Sequence, residues 1–191
     1  MGKGRLEAFS DGVVAIIITI MVLELHPPKA LTAADLQPLA VDFLTYLMSF
    51  VTVGIYWNNH HHMLHAAERV NGAVLWANMH LLFWLSLIPF ATGWMGENHF
   101  APLPTALYGV ALLMPAIAYT ILQTAIVALH GRDGTLARAL GRDFKGKMSV
   151  VLYLAAIALS FVAPWAAQAI YVGVALMWLV PDRRIERVVR G

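Results

Sequence analysis

The 191-residue chain contains no cysteine. That excludes disulfides, thiolate metal sites and cysteine nucleophiles, and leaves the redox compartment unspecified. Charge is also scarce: Asp, Glu, Lys and Arg make up 13% of the residues, against about 25% in a soluble domain. Hydrophobic residues make up 60% and the mean hydropathy is +0.68, so the composition is that of an integral membrane protein with several spans. A net charge of +2 gives no basic surface for nucleic acid, and the high pI reflects basic loops. The N-terminal apolar run follows Asp11, ends in Leu23-Glu24-Leu25 and has no small-residue cleavage site, so it does not read as a signal peptide. No internal repeat stands out.

What is present is organised around Arg5 to Leu25. Its uncharged core, Gly12 to Leu23, is twelve residues long, whereas a lipid-facing helix needs about 20 apolar residues. The full stretch is long enough, but it carries Arg5, Glu7, Asp11 and Glu24 at or near membrane depth. Ionisable groups there are costly and face protein or water. The first span is therefore expected inside a bundle, shielded from lipid and lining something wet.

The pattern predicts an all-α fold of six transmembrane helices. The first runs from Arg5 to Leu25 and stops at Pro27-Pro28. A polar link from Lys29 to Gln37 offers Thr32 or Asp35 as caps before the second, Pro38 to His65. The third covers Ala73 to Met95 with a kink near Pro89, and Gly96 to Pro104 is a loop. The fourth, Thr105 to Leu129, contains Pro115, and the last two, Met148 to Val162 and Trp165 to Val180, meet at an Ala163-Pro164 corner. With six spans, Lys3, Arg5, Arg69, Arg132, Arg138, Arg142, Lys145, Lys147, Arg183, Arg184, Arg187 and Arg190 share one side and Lys29 alone takes the other. The positive-inside rule then puts both termini in the cytoplasm. Leu136, Leu140 and Phe144, with Arg138 and Arg142 on another face, read either as a short surface helix or as a basic loop held by anionic lipid. The tail from Asp182 to Gly191 reads as a basic helix end.

On the first span Gly12, Ile16, Ile20 and Leu23 share a face, with Thr19 beside them. If that face meets a symmetry axis, Ile16, Ile20 and Leu23 form stacked apolar rings, and such constrictions gate ions by dewetting. Taken alone the stripe reads first as packing surface, and it is the charge placement above that favours the pore. Glu24 sits at the helix end with partial negative charge, where a carboxylate ring would draw cations; a solvated interfacial Glu24 is the plain alternative. Arg5, Phe9, Ser10 and Asp11 read as a structural knot, with donors available at Trp57, Asn58, Asn59, His60, Asn78 and His80.

Histidines suggest a rival chemistry. His61 and His65 are four apart, and His62, His65 and Glu68 are spaced to share a helix face, so either set could bind a metal. No second cluster matches them except the lone His80, and no metal or cofactor is expected. Two motifs mislead. Thr52-Val53-Gly54-Ile55-Tyr56 has the look of a carbonyl filter but lies mid-span and lacks the second glycine. Gly141 to Lys147 has the look of a phosphate loop, but Met148 replaces the Ser/Thr and no strand precedes it.

At Arg5-x-x-x-Phe9-Ser10-Asp11, with Ala15-Ile16 and Ile18-Thr19 following, the chain resembles the transmembrane protein 175 family. The resemblance extends to Trp57/Asn59-His60 and to Asn78–Pro89; the last three helices match only in number and length. It implies a potassium-permeable channel without a loop filter, of the bacterial type with one six-helix unit. Such a unit assembles as a homotetramer around its first helix, here in the cell membrane and with monovalent cations as permeant partners. It further implies that Ile16 is the narrowest apolar constriction, that Ile20 and Leu23 are rings towards the outside, and that Thr19 is a polar ring beside it. Arg5, Phe9, Ser10 and Asp11 are implied to pack on the second and third helices, with Trp57, His60 and Asn78 as partners. A proton- or ion-coupled secondary transporter is the alternative, though inverted repeats and broken midplane helices are not evident. A His-ligated metal or haem membrane protein is the third reading.

Overall fold

The computed structural model describes residues 2–27, 36–131, 134, 136 and 144–179. The proposed Thr32 and Asp35 caps, the stretch around Arg138, Leu140 and Arg142, and the tail from Asp182 lie outside the described residues, as does the Glu24 side chain.

The described residues are helical throughout, joined by turns. Helix α1 (Lys3–Met21) tightens into a 3-10 turn (Val22–Glu24) before the prolines. Helix α2 (Leu36–His65) returns. Helix α3 (Gly72–Ser86) is capped by Asn71, whose side chain accepts from the Val74 N–H at 3.0 Å. Helix α4 (Ile88–Glu97) continues from α3 after a break at Leu87. Helix α5 (Pro102–His130) carries Pro115 without interruption and stops at Gly131, whose φ of +81° suits glycine. Helices α6 (Phe144–Leu159) and α7 (Pro164–Leu179) form a hairpin.

The third span is interrupted near Pro89, as expected. The break falls at Leu87, two residues earlier, because a proline ring crowds the carbonyl four residues back and removes an N–H, so the preceding turn cannot close. Pro89 then sits in the first turn of α4, where the missing N–H costs little. By length and composition Leu39–His65, Gly72–Glu97 and Pro102–His130 are long and apolar enough to cross a membrane, and Pro164–Leu179 is a shorter apolar helix.

Two packed clusters share α5. One joins α1, α2, α3 and α5 through Leu6, Ile17, Met21, Leu64, Leu81 and Leu122. The other joins α4 to α7 through Met95, Tyr108, Leu112, Tyr153 and Tyr171. Between them the Ser49 hydroxyl lies 2.7 Å from Thr92 Oγ1 and 3.0 Å from the Tyr108 hydroxyl, tying α2, α4 and α5 together. Because each cluster is built from α5, that helix fixes how the first three spans sit against the last hairpin.

Candidate functional site

Helix α1 is divided lengthwise. Leu6, Ser10, Val14, Ile17 and Met21 are buried, a spacing of four, four, three and four that keeps them on one face. The opposite face is open: Gly12 and Thr19 are exposed, and Ile16 and Leu23 keep 58% and 73% of their surface. Ile20 is exposed beside a groove between α1 and α4 that is lined by Ile16, Pro89, Phe90 and Trp94 among others. The Thr19 hydroxyl donates back to the Ala15 and Ile16 carbonyl oxygens at 3.0 Å. With its proton spent on the helix, that oxygen offers lone pairs to the open side, and its chemistry there is that of an acceptor for a cation or water.

The inner face is held by a buried relay. Ser10 Oγ donates to the Leu6 carbonyl at 2.8 Å, and Asn78 Nδ2 donates to Ser10 Oγ at 2.9 Å. Asn78 Oδ1 is then left as acceptor, so the His60 contact at 2.6 Å requires the proton on Nε2. Ser10, Asn78 and His60 are all buried, where unmatched polar groups would be costly. One register of α1 against α2 and α3 satisfies all three residues, so the relay sets which side of α1 faces outward.

The structure pairs Asp11 with Trp57, whose Nε1 donates to Oδ1 at 2.9 Å. Lys3 Nζ donates to the His65 carbonyl at 3.0 Å and lies 3.8 Å from Glu7. Arg5 and Phe9 do not join this knot within the protomer. They share a side, as their spacing requires, but both are exposed, on the side turned away from Ser10.

The histidines are engaged with rings and backbone. The His61 and His65 rings stack at 6.2 Å, and the His61 ring meets His62 edge-on at 5.7 Å. Among the described residues, no group of three or more His, Asp or Glu is placed to hold a metal ion. His80 accepts from Trp84 Nε1 at 2.8 Å. Sequence reasoning missed His130, whose Nε2 accepts from the Glu68 and Arg69 N–H groups at 3.1 and 3.2 Å while Nδ1 lies 2.9 Å from the Ile126 carbonyl oxygen. A lone histidine closing a helix before glycine was its single signal.

The family model described as "Endosomal/lysosomal potassium channel TMEM175" matches residues 5–89, from α1 to the start of α4. A protein of Chryseobacterium sp. (strain P1-3), named as a potassium channel, is 56% identical over 187 residues, 98% of this chain and 97% of that one. The chain belongs to the TMEM175 family. A crystal structure described as a lysosomal potassium-selective channel TMEM175 homolog from Chamaesiphon minutus superposes with a TM-score of 0.78 at 28% identity, covering 94% of this chain and 97% of that one. Human TMEM175, named as an endosomal/lysosomal proton channel, is 34% identical over 96 residues, 44% of this chain and 19% of that one. The TMEM175 model match contains Ser10, Asp11, Trp57, His60 and Asn78, so the relay lies within the matched part. The Chryseobacterium match extends the likeness through the later helices, where the sequence motifs had offered only their number and length.

Proposed function

We propose that the chain is a potassium-preferring cation channel in which four copies gather α1 around a common axis. The observation that carries this reading is the lengthwise division of α1: one face is locked by a buried polar relay, and the other leaves Ile16, Thr19, Ile20 and Leu23 exposed in the protomer. The names of the Chryseobacterium and Chamaesiphon relatives support the choice of potassium.

In this reading the chain crosses the cell membrane six times, by α1, α2, α3 with α4, α5, α6 and α7, with both termini in the cytoplasm. The twelve-to-one division of Lys and Arg supports that orientation. Ile16 forms the narrowest ring and Ile20 and Leu23 stack beyond it. An ion sheds part of its shell at the ring, helped by the Thr19 oxygens, and opening is a small widening that lets water enter. Glu24 of each copy draws cations to the outer mouth.

Purified protein in liposomes under a potassium gradient tests the proposal. Potassium flux that persists without a proton gradient, and exceeds sodium flux, is the expected result. Strict coupling of potassium movement to protons would replace the channel with a transporter. Proton flux without potassium flux would align the protein with the reading carried by the name of its human relative.

A further inference from the structure

We infer that the bilayer meets this protein at a level well short of its helix ends, so that the ends of α1, α2, α3 and α5 stand in water as a polar cap. The inference rests on the membrane-spanning part of the proposed function and is independent of ion conduction.

A belt of polar contacts crosses every helix but α4 at one height. Asp11 meets Trp57, Ser10 meets Asn78, and Asn78 meets His60. The Tyr119 hydroxyl donates to the Asn59 carbonyl at 3.2 Å. A cavity bounded by Asn59, Tyr119, Ser149 and Trp178 carries the level across to the last hairpin. There Trp178 Nε1 donates to Ser149 Oγ at 2.8 Å, and Lys145 Nζ reaches the Met177 carbonyl at 3.3 Å and lies 5.8 Å from the Trp178 ring centre.

Above this belt α2, α3 with α4, and α5 run a membrane's depth, whereas α1, α6 and α7 are shorter. From Asn78 to Glu97 is about 29 Å of helix, from His60 to Leu39 about 32 Å, and from Tyr119 to Pro102 about 26 Å, against about 30 Å of hydrocarbon. Below it α1 continues for about 10 Å to Lys3, α2 for about 8 Å to His65 and α5 for about 16 Å to His130. The hairpin differs: Lys145 and Lys147 lie in the first turn of α6, and in the sequence Asp182, Arg183 and Arg184 follow within six residues of Trp178. Were the bilayer to reach His130, the two lysines would sit inside hydrocarbon, where such charges are costly.

Exposed side chains change character at the same height. Large apolar residues are open above the belt, including Phe50, Phe83, Phe90, Val151 and Leu154. Below it, Lys3–Ala8, His61–Leu75 and Leu122–His130 contribute no large exposed apolar residue; Phe9 and Ile121 are exposed within two residues of the belt, and Phe144 is exposed at the head of α6. Their open positions, among them Arg5, His61, Glu68, Asn71, Thr124 and Ala128, are charged, polar or small. Trp76, 78% exposed and two residues from Asn78, falls at the boundary, where tryptophan favours the headgroup layer. Lys145 and Lys147 fit the anionic headgroups of the leaflet on this side. Asp11 thus sits at the boundary, with Glu7 and Arg5 beyond it.

The absence of native cysteine permits a direct test. Thr124→Cys, Ala128→Cys, Val151→Cys and Leu154→Cys proteins, with Glu68→Cys and Asn98→Cys as loop references, are reconstituted in vesicles and treated with a membrane-impermeant maleimide. The expected result is that Thr124→Cys and Ala128→Cys react within tenfold of Glu68→Cys, from the face opposite Asn98→Cys. Val151→Cys and Leu154→Cys react at least a hundredfold more slowly than after denaturation. Thr124→Cys and Ala128→Cys as slow as Val151→Cys would overturn the inference. Reaction of Thr124→Cys from the outer face would instead reverse the proposed orientation and leave the boundary intact. Conductance is not read, so loss of the channel proposal does not alter the outcome.

Discussion

The Tyr171 hydroxyl fills the space that a β-carbon on Gly109 would need, and it donates to the Thr105 carbonyl at 3.2 Å. This contact brings α7 flush against α5. Alanine ordinarily favours a helix interior over glycine by about 1 kcal/mol, so the sign of Gly109→Ala is diagnostic. It is expected to cost about 1–3 kcal/mol through overpacking, read as a lower thermal unfolding midpoint in detergent. A midpoint that rises would mean that the two helices can part without loss.

Asn78→Ala should cost more than a surface change because it leaves the His60 ring N–H without its acceptor and removes the donor to Ser10 Oγ. Each buried group abandoned in this way costs about 1–3 kcal/mol. Adding Ser10→Ala should bring less than the sum of the two, since both act on one relay. Full additivity in the unfolding midpoints would show that the relay is not shared. Asp11→Ala, which strands the Trp57 N–H, should lower assembly yield; a well-assembled variant with altered permeation would move Asp11 into the ion path.

Ile16→Asn tests the constriction. A polar ring holds water where an apolar one sheds it, so single-channel or liposome flux should rise several-fold and the preference for potassium over sodium should fall. Unchanged flux and selectivity would remove Ile16 from the narrowest point.

His130→Ala withdraws the acceptor for two backbone N–H groups of the α2–α3 turn. Local opening governs amide exchange, and a hydrogen bond is worth about 1 kcal/mol net. The Glu68 and Arg69 amides should therefore exchange about fivefold faster in His130→Ala, whereas His130→Gln, with a carbonyl in reach, should restore protection. Equal exchange in all three proteins would mean that the turn is held elsewhere.

Much of the helical scaffold was legible because proline and the polar links punctuate long apolar runs, and α2 and α5 begin and end within three residues of their sequence-based limits. Ser10, His60 and Asn78 were readable as a set because a polar residue inside an apolar helix needs a partner. Arg5 and Phe9 were grouped with them by motif, yet adjacency in sequence says nothing about which side of a helix a residue takes. Trp57 was among the donors expected for the knot, though not paired with Asp11 in particular; Tyr171 against Gly109 and His130 on the turn were out of reach, because each depends on contacts between segments far apart in the chain. The break expected near Pro89 falls at Leu87, because proline acts on the turn before it.

The 3-10 turn at Val22–Glu24 has a rotational consequence. An α-helix advances about 100° per residue and a 3-10 helix about 120°. Continued as an α-helix, Leu23 would trail Ile16 by about 20° in azimuth while Ile20 led by about 40°. Two tighter steps carry Leu23 forward by about 40°, to a bearing midway between those two isoleucines. The overwinding before Pro27 thus straightens a stripe that would otherwise drift sideways, and lets three successive apolar layers point along one radius.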